Sequence, residues 1–175
     1  MNNGWLTLND AQRRTTLEQA AINSGIQTKA IEKDWWVTLS LRALFRTPYA
    51  PYCIFKGGTS LSKGWNLLQR FSEDIDIALM PEAFGMTYQL TPSNSYVKLL
   101  KRNGCAFTST LMKDALAAAF ENLGVPVSDI VIGTEDVPDD FPDKDPQTIF
   151  IRYRSVIDPH PYLAEEVRWS LVCVV

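Results

Sequence analysis

Cysteine and histidine are scarce in this sequence, and that scarcity excludes several chemistries at once. Cys53, Cys105 and Cys173 are an odd number at wide spacing with no Cys-x-x-Cys among them. Neither a disulfide framework nor a zinc cluster is encoded, and the thiols read as small apolar fillers. The single histidine, His160, lies in Asp158-Pro159-His160-Pro161, the setting of a turn residue rather than of a catalytic base or metal ligand. No segment approaches the ~18 uninterrupted apolar residues of a membrane span, and Met1-Asn2-Asn3-Gly4-Trp5 lacks the basic start and apolar run of a secretory signal. The expectation is a cytoplasmic protein with no membrane partner. Neither sign of charge dominates: 17 basic against 20 acidic residues give a net charge of −3, so no overall field favours nucleic acid. Two nucleotide signatures are also missing. There is no Gly-x-x-x-x-Gly-Lys-Ser/Thr of a P-loop ATPase or kinase and no Gly-x-Gly-x-x-Gly of a dinucleotide site.

What is present is an ordinary globular composition, 46% hydrophobic and 21% charged over 175 residues, enough for one domain with its own core. Helical spacing of apolar residues predicts a first helix over 7–24, capped by Asn9 or Thr7 and stopped by Gly25. A second, with a wide apolar stripe, begins at Thr28 and stops before Thr47-Pro48. A short strand over 52–55 runs into Gly57-Gly58, and Leu61, Trp65 and Leu68 predict a helix over 60–69. Residues 74–79 alternate as a strand, with Asp74 and Asp76 on one face and Ile75 and Ile77 on the other. After a loop over 80–93, helices are predicted at 95–103 and 107–123, and strands at 127–132 and 147–156. The acidic, proline-bearing stretch 134–146 reads as a solvated hairpin loop, since it lacks the glycine and terminal glutamate of a calcium loop.

Two features carry chemistry. A glycine pair between strand and helix lets the backbone approach a ligand and aim its N–H groups at it, beside the positive end of a helix dipole. Phosphate suits such a turn. Thr59 and Ser60 add hydroxyls, and Lys56, Lys63 and Arg70 add positive charge nearby. Taken alone, a Gly-Gly turn can equally be structural. The second feature is the pair Asp74 and Asp76, since two carboxylates on one strand face repel unless they share a proton or a cation. Mg2+ fits when the substrate is a phosphate, because it takes one or two protein carboxylates and completes its shell from phosphate and water. Other groups read more plainly. Lys98, Lys101 and Arg102 form a solvated basic helix face, Arg152 and Arg154 a similar pair on a strand, and Trp35, Trp36 and Trp65 belong to the core.

Phe55-Lys56-Gly57-Gly58-Thr59-Ser60-Leu61-Ser62-Lys63 and Arg70-Phe71-Ser72-Glu73-Asp74-Ile75-Asp76-Ile77 closely resemble the nucleotidyltransferase toxins of the AbiEii/AbiGii family, a branch of the polymerase-β-like superfamily. Ile31 through Val37 and Arg152 through Val156 with Pro161-Tyr162 resemble further parts of it. The resemblance implies an α+β, mixed α/β fold: a small mixed sheet flanked by helices, with an N-terminal helical pair over 7–47 and a catalytic core over 52–175 in a single domain. It implies transfer of a nucleotide from a nucleoside triphosphate to an acceptor hydroxyl. Gly57, Gly58, Thr59, Ser60, Lys63, Arg70 and Ser72 would bind the nucleotide, and Asp74 and Asp76 would hold Mg2+ or Mn2+ as the catalytic pair. By the same analogy the acceptor is the 3′ end of a tRNA or another RNA, and the setting a toxin–antitoxin or phage-defence pair with a cognate antitoxin.

One element departs from that pattern. Polymerase-β-like enzymes place a third carboxylate on a later strand, expected here after Val167, where the chain instead reads Arg168-Trp169-Ser170-Leu171-Val172-Cys173-Val174-Val175. This leads to the expectation of a chain truncated at its C-terminus, with an exposed strand. If Ser170 is encoded by AGT or AGC, stepping back one base turns Trp169-Ser170 into Leu, Met or Val followed by Glu. The alternative to an active transferase is a catalytically weak or inactive remnant that binds nucleotide and metal.

Overall fold

The computed structural model describes residues 4–67, 74–135 and 147–174. A single turn, α1 (Gly4–Thr7), precedes α2 (Asp10–Ser24). Asn9 opens α2 with a reciprocal cap: its side chain accepts the Gln12 N–H at 2.9 Å, and the Gln12 side chain accepts the Asn9 N–H at 3.0 Å. Gly25 closes it at φ +70°, donating its N–H to the Ala21 carbonyl. The next helix, α3 (Thr28–Leu44), is buried around most of its circumference, as its wide apolar stripe requires. Trp36 stacks on Tyr153 with ring centroids 4.9 Å apart, and Trp35 lies edge-on to Trp36 at 5.0 Å. Both belong to the packed interior and its margin, as expected.

The remaining elements are β1 (Cys53–Lys56), the one-turn α4 (Gly57–Thr59), β2 (Asp74–Leu79), α5 (Asn94–Phe107), α6 (Lys113–Asn122), β3 (Ile130–Thr134), β4 (Gln147–Tyr153) and β5 (Glu166–Cys173). The strands form one mixed sheet in the order β1-β2-β5-β4-β3. Only β2 and β5 are parallel neighbours. Alternation along each strand separates two faces. Ile75, Ile77, Ile149, Ile151, Val167, Trp169 and Leu171 form the inner face and share a core with α3 and α6 through Val37, Leu44, Leu116 and Phe120. On the outer face Asp74, Arg152 and Arg168 are exposed, and Asp76, Thr148, Phe150 and Ser170 are half-buried. The free thiols of Cys53 and Cys173 lie in the interior, and burial pushes the Cys53 thiol up to about 11. Cys53 is therefore an un-ionised filler at neutral pH.

Several expectations need correction. The helices predicted at 95–103 and 107–123 are one helical run, α5 passing into α6 through a π-helical turn at Thr108–Met112. Gly104, in the gap between them, is a packing residue: a Cβ there would lie 2.4 Å from Cys173 Sγ. The helix predicted over 60–69 is a π-helical turn, Ser60–Gly64, that stops before Trp65. Trp65 itself is 73% exposed and not part of the core. β5 is the central strand, paired on both sides.

A seam of charged groups pins the N-terminal helices to the sheet. Lys29 and Glu32 are almost fully buried. Lys29 Nζ donates to Ser155 Oγ at 2.7 Å and to Glu165 Oε1 at 2.8 Å, while Glu32 accepts from the Val156 N–H at 2.8 Å and from Ser155 Oγ at 2.5 Å. Nearby, Arg154 bridges Asp129 and Asp10, and Arg13 reaches Asp129 at 3.7 Å. In this seam each buried charge meets an opposite one, the condition under which burial is tolerated.

Candidate active site

Strand pairing assembles the outer face residue by residue. Lys56 on β1 stands opposite Asp76 on β2, Asp76 lies beside Ser170 on β5, and Ser170 stands opposite Thr148 on β4. One row away, Asp74 lies beside Arg168, which stands opposite Phe150. Residues in register share a face, and neighbouring strands are about 4.8 Å apart. The two carboxylates and Ser170 are thus immediate neighbours. Together with Thr148, Arg168 and Trp169 they line a shallow depression of about 210 Å³.

The glycine turn closes over this row. Gly57 has φ +74°, and a Cβ on it would lie 2.0 Å from Asp76 Oδ2. Both the left-handed backbone and the carboxylate pressed against it demand glycine. Gly57 is exposed and Gly58 half-buried, so the turn's backbone reaches solvent beside Asp76. The hydroxyls that follow serve the turn itself. Thr59, fully buried, donates to the Asp74 carbonyl, fixing the turn to β2, and Ser60 Oγ donates to the Gly57 carbonyl at 3.0 Å. Because only a short helical turn follows, the dipole at this point is weaker than a helix over 60–69 would supply.

The other sequence-derived candidates are placed differently. Lys63 turns toward α3, with Nζ 2.7 Å from Asp34 Oδ1 and 2.9 Å from Thr38 Oγ1. Arg70 and Ser72 lie outside the described residues. Arg152 lies 4.3 Å over the Phe150 ring and pairs with Glu166 at 2.9 Å, while Arg154, itself exposed, ties Asp129 to Asp10. Lys98, Lys101 and Arg102 sit on α5, which packs beneath the sheet through Gly104 against Cys173. His160 occupies a turn, its Nδ1 accepting the Tyr162 N–H at 3.2 Å.

Opposed charge is unevenly distributed over the outer face. Arg168 is held by Glu166 at 3.0 Å and by Glu135. No hydrogen bond or ion pair joins the carboxylate of Asp74 or Asp76 to another described residue. A carboxylate pair with two flanking hydroxyls is an oxygen donor set suited to a hard cation. Among the described residues no group of three or more His, Cys, Asp or Glu side chains could hold a metal ion. Two carboxylates with flanking hydroxyls suit a cation that brings most of its oxygens with it, as Mg2+ does with phosphates.

Residues 40–168 match the family model of the nucleotidyl transferase AbiEii toxin of type IV toxin–antitoxin systems. The chain belongs to that family. No curated protein and no solved structure matches it. Within this AbiEii-family chain the matched span includes the glycine turn, Asp74 and Asp76, and ends at Arg168, before Ser170. The mixed α/β architecture agrees with a nucleotidyltransferase-type fold. No helix among the described residues is long and apolar enough to cross a membrane.

Thr148, Arg168 and Ser170 were not among the residues singled out for the site from sequence. Period-two alternation of Val167, Trp169, Leu171 and Cys173 against Arg168, Ser170 and Val172 marks β5 as a strand. Its parallel pairing beside the carboxylates is a long-range fact that no local pattern encodes.

Proposed function

We propose that this AbiEii-family protein transfers a nucleotide from a nucleoside triphosphate to an acceptor hydroxyl at the outer face of its sheet, with an RNA such as a tRNA 3′ end as acceptor. One observation carries the reading: the exposed backbone of Gly57 lies against the carboxylate of Asp76. A triphosphate seated on that backbone has its phosphates beside the acidic pair.

The backbone of Gly57 and Gly58 offers the triphosphate a concave seat, and Lys56, in register with Asp76, adds a positive charge on the same face. Thr59 keeps seat and carboxylates in fixed relation through its bond to the Asp74 carbonyl. The acceptor hydroxyl attacks the α-phosphorus and gives up its proton to water, the bond to the oxygen bridging the α- and β-phosphorus breaks, and pyrophosphate leaves. Asp74 and Asp76 would hold Mg2+, which supplies charge neutralisation for the attacking and leaving oxygens. Preorganised position and charge, rather than a covalent intermediate, do most of what such a site needs. A cognate antitoxin and a role in phage defence belong to the same proposal, resting on family membership alone.

Incubation with each labelled nucleoside triphosphate, Mg2+ and total tRNA tests it. Label should appear on RNA with the parent chain and not with Asp74→Ala/Asp76→Ala. A second reading, a remnant that binds nucleotide without turnover, is favoured by the serine beside Asp76. Nucleotide binding without label transfer would establish it in place of the first.

A further inference from the structure

We propose that the chain forms a two-fold dimer with a second copy of itself through the free edge of β3, so that one sheet runs unbroken across both protomers. The inference is independent of the transferase reading and concerns the edge of the sheet remote from Asp74 and Asp76. β3 is the last strand of the sheet, and β4 is its only partner among the described residues. Arg154 donates its N–H to the Asp129 carbonyl at 2.8 Å, and Glu135 donates its own to the Thr148 carbonyl at 3.1 Å, which turns residues 129 and 135 toward β4. Backbone groups alternate in direction along an antiparallel strand. Val131 and Gly133 therefore also turn toward β4, and Ile130, Ile132 and Thr134 present their N–H and C=O groups outward. No described residue pairs with them.

Free edges are ordinarily blunted by charge, proline or a bulge. β3 reads Ile-Val-Ile-Gly-Thr and has none of the three, whereas β1, the opposite edge, is four residues long and ends in Lys56. The outward triplet is centred on Ile132. An antiparallel copy on a two-fold axis there pairs Ile132 with the partner's Ile132 and Ile130 with the partner's Thr134, and every outward group finds a hydrogen bond. On the outer face Val131, 62% exposed, is covered by the partner's Gly133 and Phe150, because the Phe150 ring lies over Gly133, where a Cβ would meet it at 2.3 Å.

Charge singles out a second copy as the occupant. Beneath the edge, α6 and β3 enclose a largely apolar groove of about 340 Å³, with Ala117, Val127, Ile130 and Ile132 in its walls. After α6 the chain reverses at Gly124, φ +84°, and returns as β3, so helix and strand run in opposite directions. Lys113 lines one end of the groove and Glu121 the other, about 12 Å further along the helix. Neither is paired with another described residue. The axis that pairs the two β3 strands also sets the two α6 helices antiparallel, and each Lys113 then faces the partner's Glu121. A surface whose charges match its own reversed copy suits an isologous interface. Asp114, beside Lys113 in the groove, is the charge left facing a like one.

Sedimentation equilibrium on the full chain, from about 1 to 200 μM, tests the inference, with a dimer dissociation constant expected on the order of 10 μM. Val131→Lys places charge on the edge and leaves the protomer's own contacts in place, so it should weaken dimerisation at least about tenfold without lowering the melting temperature of the dilute protein. Lys113→Glu and Glu121→Lys should each weaken it by about tenfold, and the double exchange should restore it. Asp114→Asn should tighten it. A parent that stays monomeric throughout the range overturns the inference and leaves the edge to some other extended segment. So does a dimer untouched by Val131→Lys, or a double exchange no tighter than either single variant.

Discussion

Two clusters of charge in this molecule are built on opposite rules. In the seam between the N-terminal helices and the sheet, Lys29 and Glu32 are nearly inaccessible and surrounded by Ser155, Glu165 and the Val156 N–H. On the outer face, Asp74 and Asp76 sit side by side at the rim of an open depression, with no described residue bonded to either carboxylate. The first arrangement is complete and stabilises a docking geometry. The second leaves like charges adjacent. Saturated charge holds the fold, and in the proposed function unsaturated charge seats the ligand.

Substitutions can break this contrast, the largest effect first. Asp76→Asn should lower label transfer about 10³-fold, the scale of losing a preorganised electrostatic contact in a transition state. Its urea midpoint should stay at or above that of the parent, because a like-charge repulsion is removed. A stability loss comparable to the activity loss would place Asp76 with the seam instead. Glu32→Gln should show the converse, costing about 3 kcal/mol in urea unfolding because Lys29 loses a buried partner. Transfer per folded molecule should be unchanged.

Gly57→Ala touches both rules. Its Cβ would meet Asp76 Oδ2 at 2.0 Å and its φ is +74°, so about 2 kcal/mol of stability should go with most of the transfer activity. Lys63 sharpens the boundary between the clusters. If its ion pair with Asp34 is its whole role, Lys63→Ala and Asp34→Ala should behave alike, each costing less than about 1 kcal/mol in the same assay. A loss of nucleotide affinity confined to the lysine variant would return Lys63 to the site.

The smallest effect concerns acid. Arg154 donates to both Asp10 carboxylate oxygens, at 2.8 and 2.9 Å, and holds that carboxyl below its ordinary value of 3.8. A depressed folded-state value contributes stability above the unfolded value and loses it as pH falls through the folded one. Asp10→Asn should therefore flatten the fall in melting temperature below about pH 4 and leave its slope at neutral pH unchanged.

Much of the architecture was readable from local pattern, because local forces dictate it. The capping residues Asn9 and Gly25 and the alternation at Asp74–Leu79 fall where sequence places them. So does the strand that runs into Gly57. The carboxylate face followed from strand periodicity alone. What escaped was set by contacts distant in sequence. The π-helical turns answer to packing rather than propensity. Lys63 finds its partner 29 positions away on α3, so its proximity to the glycine pair in sequence misleads. Trp65 looked like a core residue by spacing, but the helix that would have turned it inward ends at Gly64. Ser170 entered the site only through a strand pairing that spans almost a hundred residues.

The position of β5 also governs the order in which the chain can assemble. The sheet's central strand is the last one in sequence, and β1-β2 on one side and β3-β4 on the other meet only through it. The seam imposes the same delay, since Glu32 waits for residues 155 and 156. During synthesis, two hairpin-like halves and an unanchored helical pair must persist until residues 166–173 leave the ribosome. Closing loops of that length is slow and exposes apolar surface meanwhile. Nascent chains halted before residue 166 should be protease-sensitive throughout, and protection should arrive in one step once β5 has emerged.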